Sequence, residues 1–209
     1  MELWDSVFHS AQQFRLNILN SVADQVPVEF FLNQFHPNAE ELKDLLAVYR
    51  VLDRERDVRV VLHQLCDAIP REAPDIEDED ERLEEMLLAY SAASELEDYE
   101  RAVRILTPMI DEFPLAFEPR YYLGASLVEL ERPQEAMPHL QWCHEQDPGN
   151  VWVPKLKARA RMLMIESDDT PRKRLSRLSI LKAGYSQPQQ SPENAVYQAD
   201  GIESPPTMP

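Results

Sequence analysis

Little in this chain has the residue types and spacing for chemistry. His63 and Cys66 stand three apart, and Cys143 adjoins His144. Two cysteines and two histidines make a zinc-binding set, provided that all four converge tetrahedrally on one ion. A second candidate is Asp75, Asp78 and Asp80, inside the run Ala73 to Glu81, where six of the seven positions from Asp75 onward are acidic. A calcium loop of the EF-hand kind needs a glycine at its sharp turn, and this run has none. Its carboxylates repel one another and stay hydrated, so the segment reads as a mobile acidic loop or as the extended start of a helix. The chain's 4 glycines, Gly124, Gly149, Gly184 and Gly201, each stand alone, so no loop is built to cradle a phosphate. An enzyme needs a nucleophile, an acid–base group or a metal held in a pocket. None can be assembled from these residues, and neither catalysis nor a cofactor is expected.

Composition narrows the class further. Of 209 residues, 44% are hydrophobic and only 4 are glycine, which suits a helical core more than a β-rich one. A formal net charge of −17 opposes nonspecific binding to nucleic acid and to anionic membranes. No apolar stretch approaches the roughly 20 residues of a membrane span. The start, Met1-Glu2-Leu3-Trp4-Asp5, lacks the basic and apolar regions of a signal peptide. Cys66 and Cys143 read as reduced core thiols, and a cytoplasmic protein is expected.

The elements that must position these residues are repeated. Glu95-Leu96-Glu97-Asp98-Tyr99-Glu100-Arg101-Ala102 is echoed by Glu129-Leu130-Glu131-Arg132-Pro133-Gln134-Glu135-Ala136, 34 residues later. The same offset relates Leu106 to Leu140 and Pro114 to Pro148. A more divergent copy lies upstream: Leu45, Leu46, Tyr49, Val58, Leu62, Leu65 and Pro70 align with Ala89, Tyr90, Ala93, Ala102, Leu106, Met109 and Pro114. Val58 precedes Pro70 by 12 residues, as Ala102 precedes Pro114 and Ala136 precedes Pro148. Such periodicity marks a stack of helix pairs, each burying its apolar face only against its neighbours.

Leu123-Gly124, Ala136, Leu140 and Pro148 resemble the tetratricopeptide repeat family, standing where it places a helix-A Leu-Gly pair, the helix-B small and large apolar residues, and a closing Pro. The resemblance implies an all-α fold, a superhelical solenoid of antiparallel helix pairs. Three repeats, 39–72, 83–116 and 117–150, would be separated after the first by the acidic insertion 73–82. In such a stack the four zinc candidates point into or away from the core in separate units, and Cys143 falls where the family packs a small core residue.

Both flanks carry their own signals. Residues 1–38 form an N-terminal helical extension packing on the first repeat. Trp4, Val7, Phe8, Ala11, Phe14, Ile18 and Val22 mark its apolar face, and His9, Gln12, Gln13, Arg15 and Asn17 lie on its polar face. Val26-Pro27 ends that helix, Phe30, Phe31, Leu32 and Phe35 suggest a short second one, and Asn38 can cap the next. Residues 151–166 make a capping helix whose exposed side carries Lys155, Lys157, Arg159 and Arg161. The rest, 167–209, reads as a flexible, disordered tail, within which 172–182 interleaves basic residues with Leu and Ile. Ser176 there follows Arg172-Lys173-Arg174, as in a basophilic kinase site.

Function follows from the resemblance. In the tetratricopeptide family the helix-A residues facing the groove hold a partner peptide or helix. In this sequence that face maps to Glu40, Lys43, Ala47 and Arg50, then Glu84, Leu87, Ser91 and Ser94, then Glu118, Tyr121, Ala125 and Val128. Members that grip the C-terminal carboxylate of heat-shock chaperones use a clamp of Lys, Asn and Arg, which Ala47, Leu87, Ser91, Tyr121 and Ala125 do not supply. Residues 83–150 hold 14 acids against 4 bases, so the expected partner is a protein or peptide segment with Lys or Arg and a few apolar anchors. The segment 172–182 has that chemistry and is an expected internal competitor. The alternative is a structural subunit assembled through Trp4, Phe8, Phe30 and Phe31.

Overall fold

A computed structural model describes residues 8, 9 and 12–168. The chain divides into two units, 1–166 and 167–209. Every element among the described residues is helical. They are α1 (Gln12–Val22), α2 (Val28–Phe35), α3 (Ala39–Val51), α4 (Glu55–Glu72), a 3-10 turn (Ala73–Asp75), α5 (Glu79–Glu95), α6 (Tyr99–Glu112), α7 (Phe117–Glu129), α8 (Pro133–Gln146) and α9 (Val153–Asp168). The segment 172–182 and Ser176 lie outside the described residues, as does Trp4.

Polar side chains start several of these helices. Asn38 Oδ1 accepts from the Glu41 N–H at 2.9 Å while Glu41 Oε2 accepts from the Asn38 N–H at 3.0 Å, a reciprocal capping box. Asp78 caps α5 by accepting from the Glu81 N–H at 2.9 Å, and Asp98 caps α6 from Arg101 at 3.0 Å. The acidic run is therefore a helix start. Asp78 is its cap, and Glu79, Asp80 and Glu81 fill the first turn, where the positive end of the helix favours them.

The helices α3, α5 and α7 all stop on one turn. Asp53, Glu97 and Glu131 take left-handed φ angles of 53°, 57° and 55°. The following N–H reaches back five residues, Arg54 to Tyr49 at 3.0 Å, Asp98 to Ala93 at 2.9 Å and Arg132 to Leu127 at 2.8 Å. This is a Schellman stop, which satisfies carbonyls that the helix end leaves open. The turn after α5 and the turn after α7 are thus one sequence period apart.

Consecutive helices pack in order from α3 to α8. Between them lie Leu45, Tyr49, Leu62, Leu65, Ile69, Leu106, Met109 and Leu140, all fully buried. Burying each large apolar side chain stabilises by about 1.5–3 kcal/mol. Small residues set the spacing: a Cβ on Gly124 would lie 2.7 Å from Leu140 Cδ2, and Ala89, Ala93, Ala102 and Ala136 are fully buried. Lateral contacts also join alternate helices. Lys43 meets Glu85 across α3 and α5 at 2.8 Å, Tyr90 stacks on Tyr122 across α5 and α7 at 4.5 Å, and Arg159 of α9 pairs with Glu129 of α7. From α6, Arg101 donates to the His63 carbonyl of α4 at 3.2 Å.

Four expectations from the sequence need correction. Pro70 does not close the first unit; it sits inside α4, which runs on to Glu72. On α1, Phe14 faces outward and Arg15 is buried. The cause is on α3, which turns Glu41 and Asp44 inward, and a buried carboxylate needs a partner. Arg15 supplies it, with Nη2 2.6 Å from Asp44 Oδ2 and Nη1 donating to the Phe8 carbonyl at 3.2 Å. Phe8 and Phe31 are also buried, with the Phe8 ring stacked on Phe35 at 4.3 Å, so they cannot serve an interface between subunits. Finally, Lys155, Arg159 and Arg161 lie on the exposed side of α9 as expected, but Lys157 does not, and the exposed side is not wholly polar. Met162 and Ile165 are exposed there, while Lys157 is buried and donates to Gln141 Oε1 at 2.6 Å.

Candidate functional site

Steps of three and four put Lys43, Ala47 and Arg50 on one face of α3, Glu84, Leu87 and Ser91 on one face of α5, and Glu118, Tyr121 and Ala125 on one face of α7. Ala47, Arg50, Glu84, Ser91 and Glu118 are exposed, and Lys43, Leu87, Tyr121 and Ala125 are half-buried. Glu40 is exposed and Ser94 half-buried. Val128 is 0% exposed and joins the core, so it cannot touch a partner. Its neighbour Glu129 is held by Arg159, which brings α9 to this end of α7.

Both cations of this face are engaged between helices. Lys43 Nζ lies 2.7 Å from Glu40 and 2.8 Å from Glu85. Burial pulls its ammonium pKa down, but the hydrogen bonds to Glu40 and Glu85 prevail and leave it raised. Arg50 pairs with Glu95 of α5. Among the described residues no hydrogen bond or ion pair reaches Glu84 or Glu118. The face therefore presents two open carboxylates.

Beside Glu118 runs a chain of aromatic rings. Phe117 stacks on Tyr121 at 5.8 Å, Tyr121 meets Tyr122 edge-on at 5.3 Å, and Tyr122 stacks on Tyr90 at 4.5 Å. Burial raises the phenol pKa of both Tyr90 and Tyr121, so their hydroxyls stay protonated and able to donate. The sequence mapping singled out Tyr121 alone. The four-residue step from Phe117 to Tyr121 is a signal that would have added Phe117. Tyr90 and Tyr122 meet only across two helices, which no local spacing reveals.

The zinc candidates stay apart. Cys66 is buried with its thiol aimed at the Ala89 carbonyl, 3.6 Å away, and burial raises its pKa. Burial pushes the Cys143 thiol up to about 11, so it remains neutral and a poor metal ligand near neutral pH. His63 lies beside Arg101, Nδ1 to Nη1 3.4 Å. Among the described residues no three of His, Cys, Asp and Glu gather in a way that would hold a metal ion.

Away from this face, an apolar cleft of about 400 Å³ opens between α1 and α2, lined by Ile18, Val22, Val26, Phe30, Phe31 and Phe35 among others. No described helix is long and apolar enough to cross a membrane. No protein-family model, curated protein or solved structure matches the chain.

Proposed function

We propose that this chain is a non-enzymatic adaptor of the tetratricopeptide type, which holds a basic, apolar-anchored segment of another protein along the joined faces of α3, α5 and α7. The repeated Schellman stops and the lateral contacts between alternate helices support that fold. One observation carries the ligand class. Lys43 and Arg50 are tied up in pairs between helices, while Glu84 and Glu118 stand open beside Leu87 and Tyr121. Two free carboxylates flanked by apolar surface favour Lys or Arg together with a large apolar side chain.

The test is fluorescence anisotropy with a labelled peptide alternating Lys and Leu, titrated with the full chain. Leu87→Ala and Tyr121→Ala are each expected to weaken binding about tenfold, or about 1.4 kcal/mol. Unchanged affinity in both would contradict the reading. The structural-subunit alternative is favoured by one feature, the half-exposed Phe30 on the rim of the cleft between α1 and α2. Static light scattering separates the two: a monomer at all concentrations belongs to the adaptor, a stable oligomer to the subunit.

A further inference from the structure

The outward face of α9 is a second, independent surface. At 100° per residue, Val153, Lys157 and Ala160 lie on the buried side of this helix. Ala158, Met162 and Ile165, at steps of four and three, lie together on its exposed side, with Met162 opposite Val153. Met162 is 61% exposed and Ile165 69%. Arg161 borders this apolar stripe on one side, and Lys155 with the exposed Glu166 on the other. At its N-terminal end Trp152 is 58% exposed, with Lys155 Nζ 4.2 Å from its ring centre. The start of the helix is fixed, because Asn150 Oδ1 accepts from the N–H groups of Trp152 at 2.9 Å and Val153 at 3.2 Å. No hydrogen bond or ion pair reaches Arg161 among the described residues.

The preceding unit shows what kind of element such a face accepts. One period of 34 residues before Ala158 is Gly124, and one period before Arg161 is Leu127. On α7 these positions are covered: Leu140 of α8 packs directly on Gly124, and Leu127 is buried. Among the described residues nothing covers the corresponding direction on α9. It has the small residue, Ala158, that lets a helix come close, and it carries Arg161 where α7 carries Leu127.

We propose that the outward face of α9 docks one acidic amphipathic helix of another protein, laid against α9 as α8 lies against α7. Its apolar residues sit on Ala158, Met162 and Ile165, and its carboxylates face Lys155 and Arg161. The size of the patch decides against an anionic lipid surface: the stripe is only three residues long, and the two cations beside it do not make the basic face of a membrane-surface helix. The partner class is the reverse of that for the α3–α5–α7 face.

The probe is a synthetic helix of about 18 residues, some 27 Å long, with Leu at steps of three and four and Glu flanking them, alongside a copy with Lys in place of Glu. Both are labelled and titrated with the full chain. The acidic helix is expected to bind with micromolar affinity and the Lys copy at least about tenfold more weakly. Met162→Glu and Ile165→Glu, both surface changes that should leave the melting temperature intact, are each expected to weaken the acidic helix about tenfold. Tyr121→Ala should leave it unchanged, which separates this surface from the one proposed above. Equal binding of the two probes, no binding of the acidic one, or indifference to Met162→Glu and Ile165→Glu would overturn the proposal. So would phosphatidylserine vesicles binding the chain where the peptide does not. Self-association abolished by Met162→Glu would overturn it too, by making a second copy the occupant.

Discussion

Gly124 is where two helices of the stack come closest. A methyl group there would meet Leu140 Cγ at 2.8 Å and Cδ2 at 2.7 Å, and Leu140 is itself fully buried with nowhere to swing. In an exposed helix, Gly→Ala stabilises by about 1 kcal/mol through propensity. Here the overpacking prevails, and Gly124→Ala is expected to lose about 1–3 kcal/mol in urea denaturation. A gain in stability would show that α7 and α8 are not held at this distance. The residue was legible because Gly124, Ala136 and Leu140 keep fixed places in the period. Val128 was not, although it shares a helix face with Tyr121. Periodicity tells which residues lie together on a helix, but not how far along that face the core extends, and Val128 belongs to the core.

At the scale of the element, α1 is held by ionic chemistry as much as by apolar packing. Arg15 is buried against Asp44 and Glu41, and Gln12 donates to Asp44 Oδ1 at 2.7 Å. Arg15→Met leaves the buried Asp44 without its cation, while Glu41 keeps His9 at 2.7 Å, and is expected to cost about 3–5 kcal/mol. Arg15→Met combined with Asp44→Leu removes the closest pair together and should recover much of that loss, with Glu41 kept because it accepts from the Asn38 N–H. If the single change costs under about 1 kcal/mol, the cluster is hydrated rather than buried. The amphipathic pattern of α1 identified a helix but set its rotation with Phe14 inward. Phe14 and Arg15 are neighbours in sequence, and only Glu41 and Asp44 of α3 decide which turns in. From α5 to α8 the agreement is closer, because each helix there meets neighbours that the same period generates. Beyond that series, α9 keeps Lys155, Arg159 and Arg161 outside as expected, but Lys157 turns inward and Met162 and Ile165 stand exposed.

Along the α3–α5–α7 face, the cations join helices while two acids stay open. Lys43, Arg50, Arg101 and Arg159 each bridge two helices, and Glu84 and Glu118 have no such partner among the described residues. The proposed adaptor function depends on those two carboxylates selecting the sign of the ligand. The most direct measurement is the affinity of the chain carrying Glu84→Lys and Glu118→Lys for two peptides that differ only in Lys or Glu beside the same Leu anchors, at low salt. The account predicts a reversal: the natural chain prefers the Lys peptide about tenfold, and the variant prefers the Glu peptide by a similar factor. A preference that stays the same in both chains would contradict it.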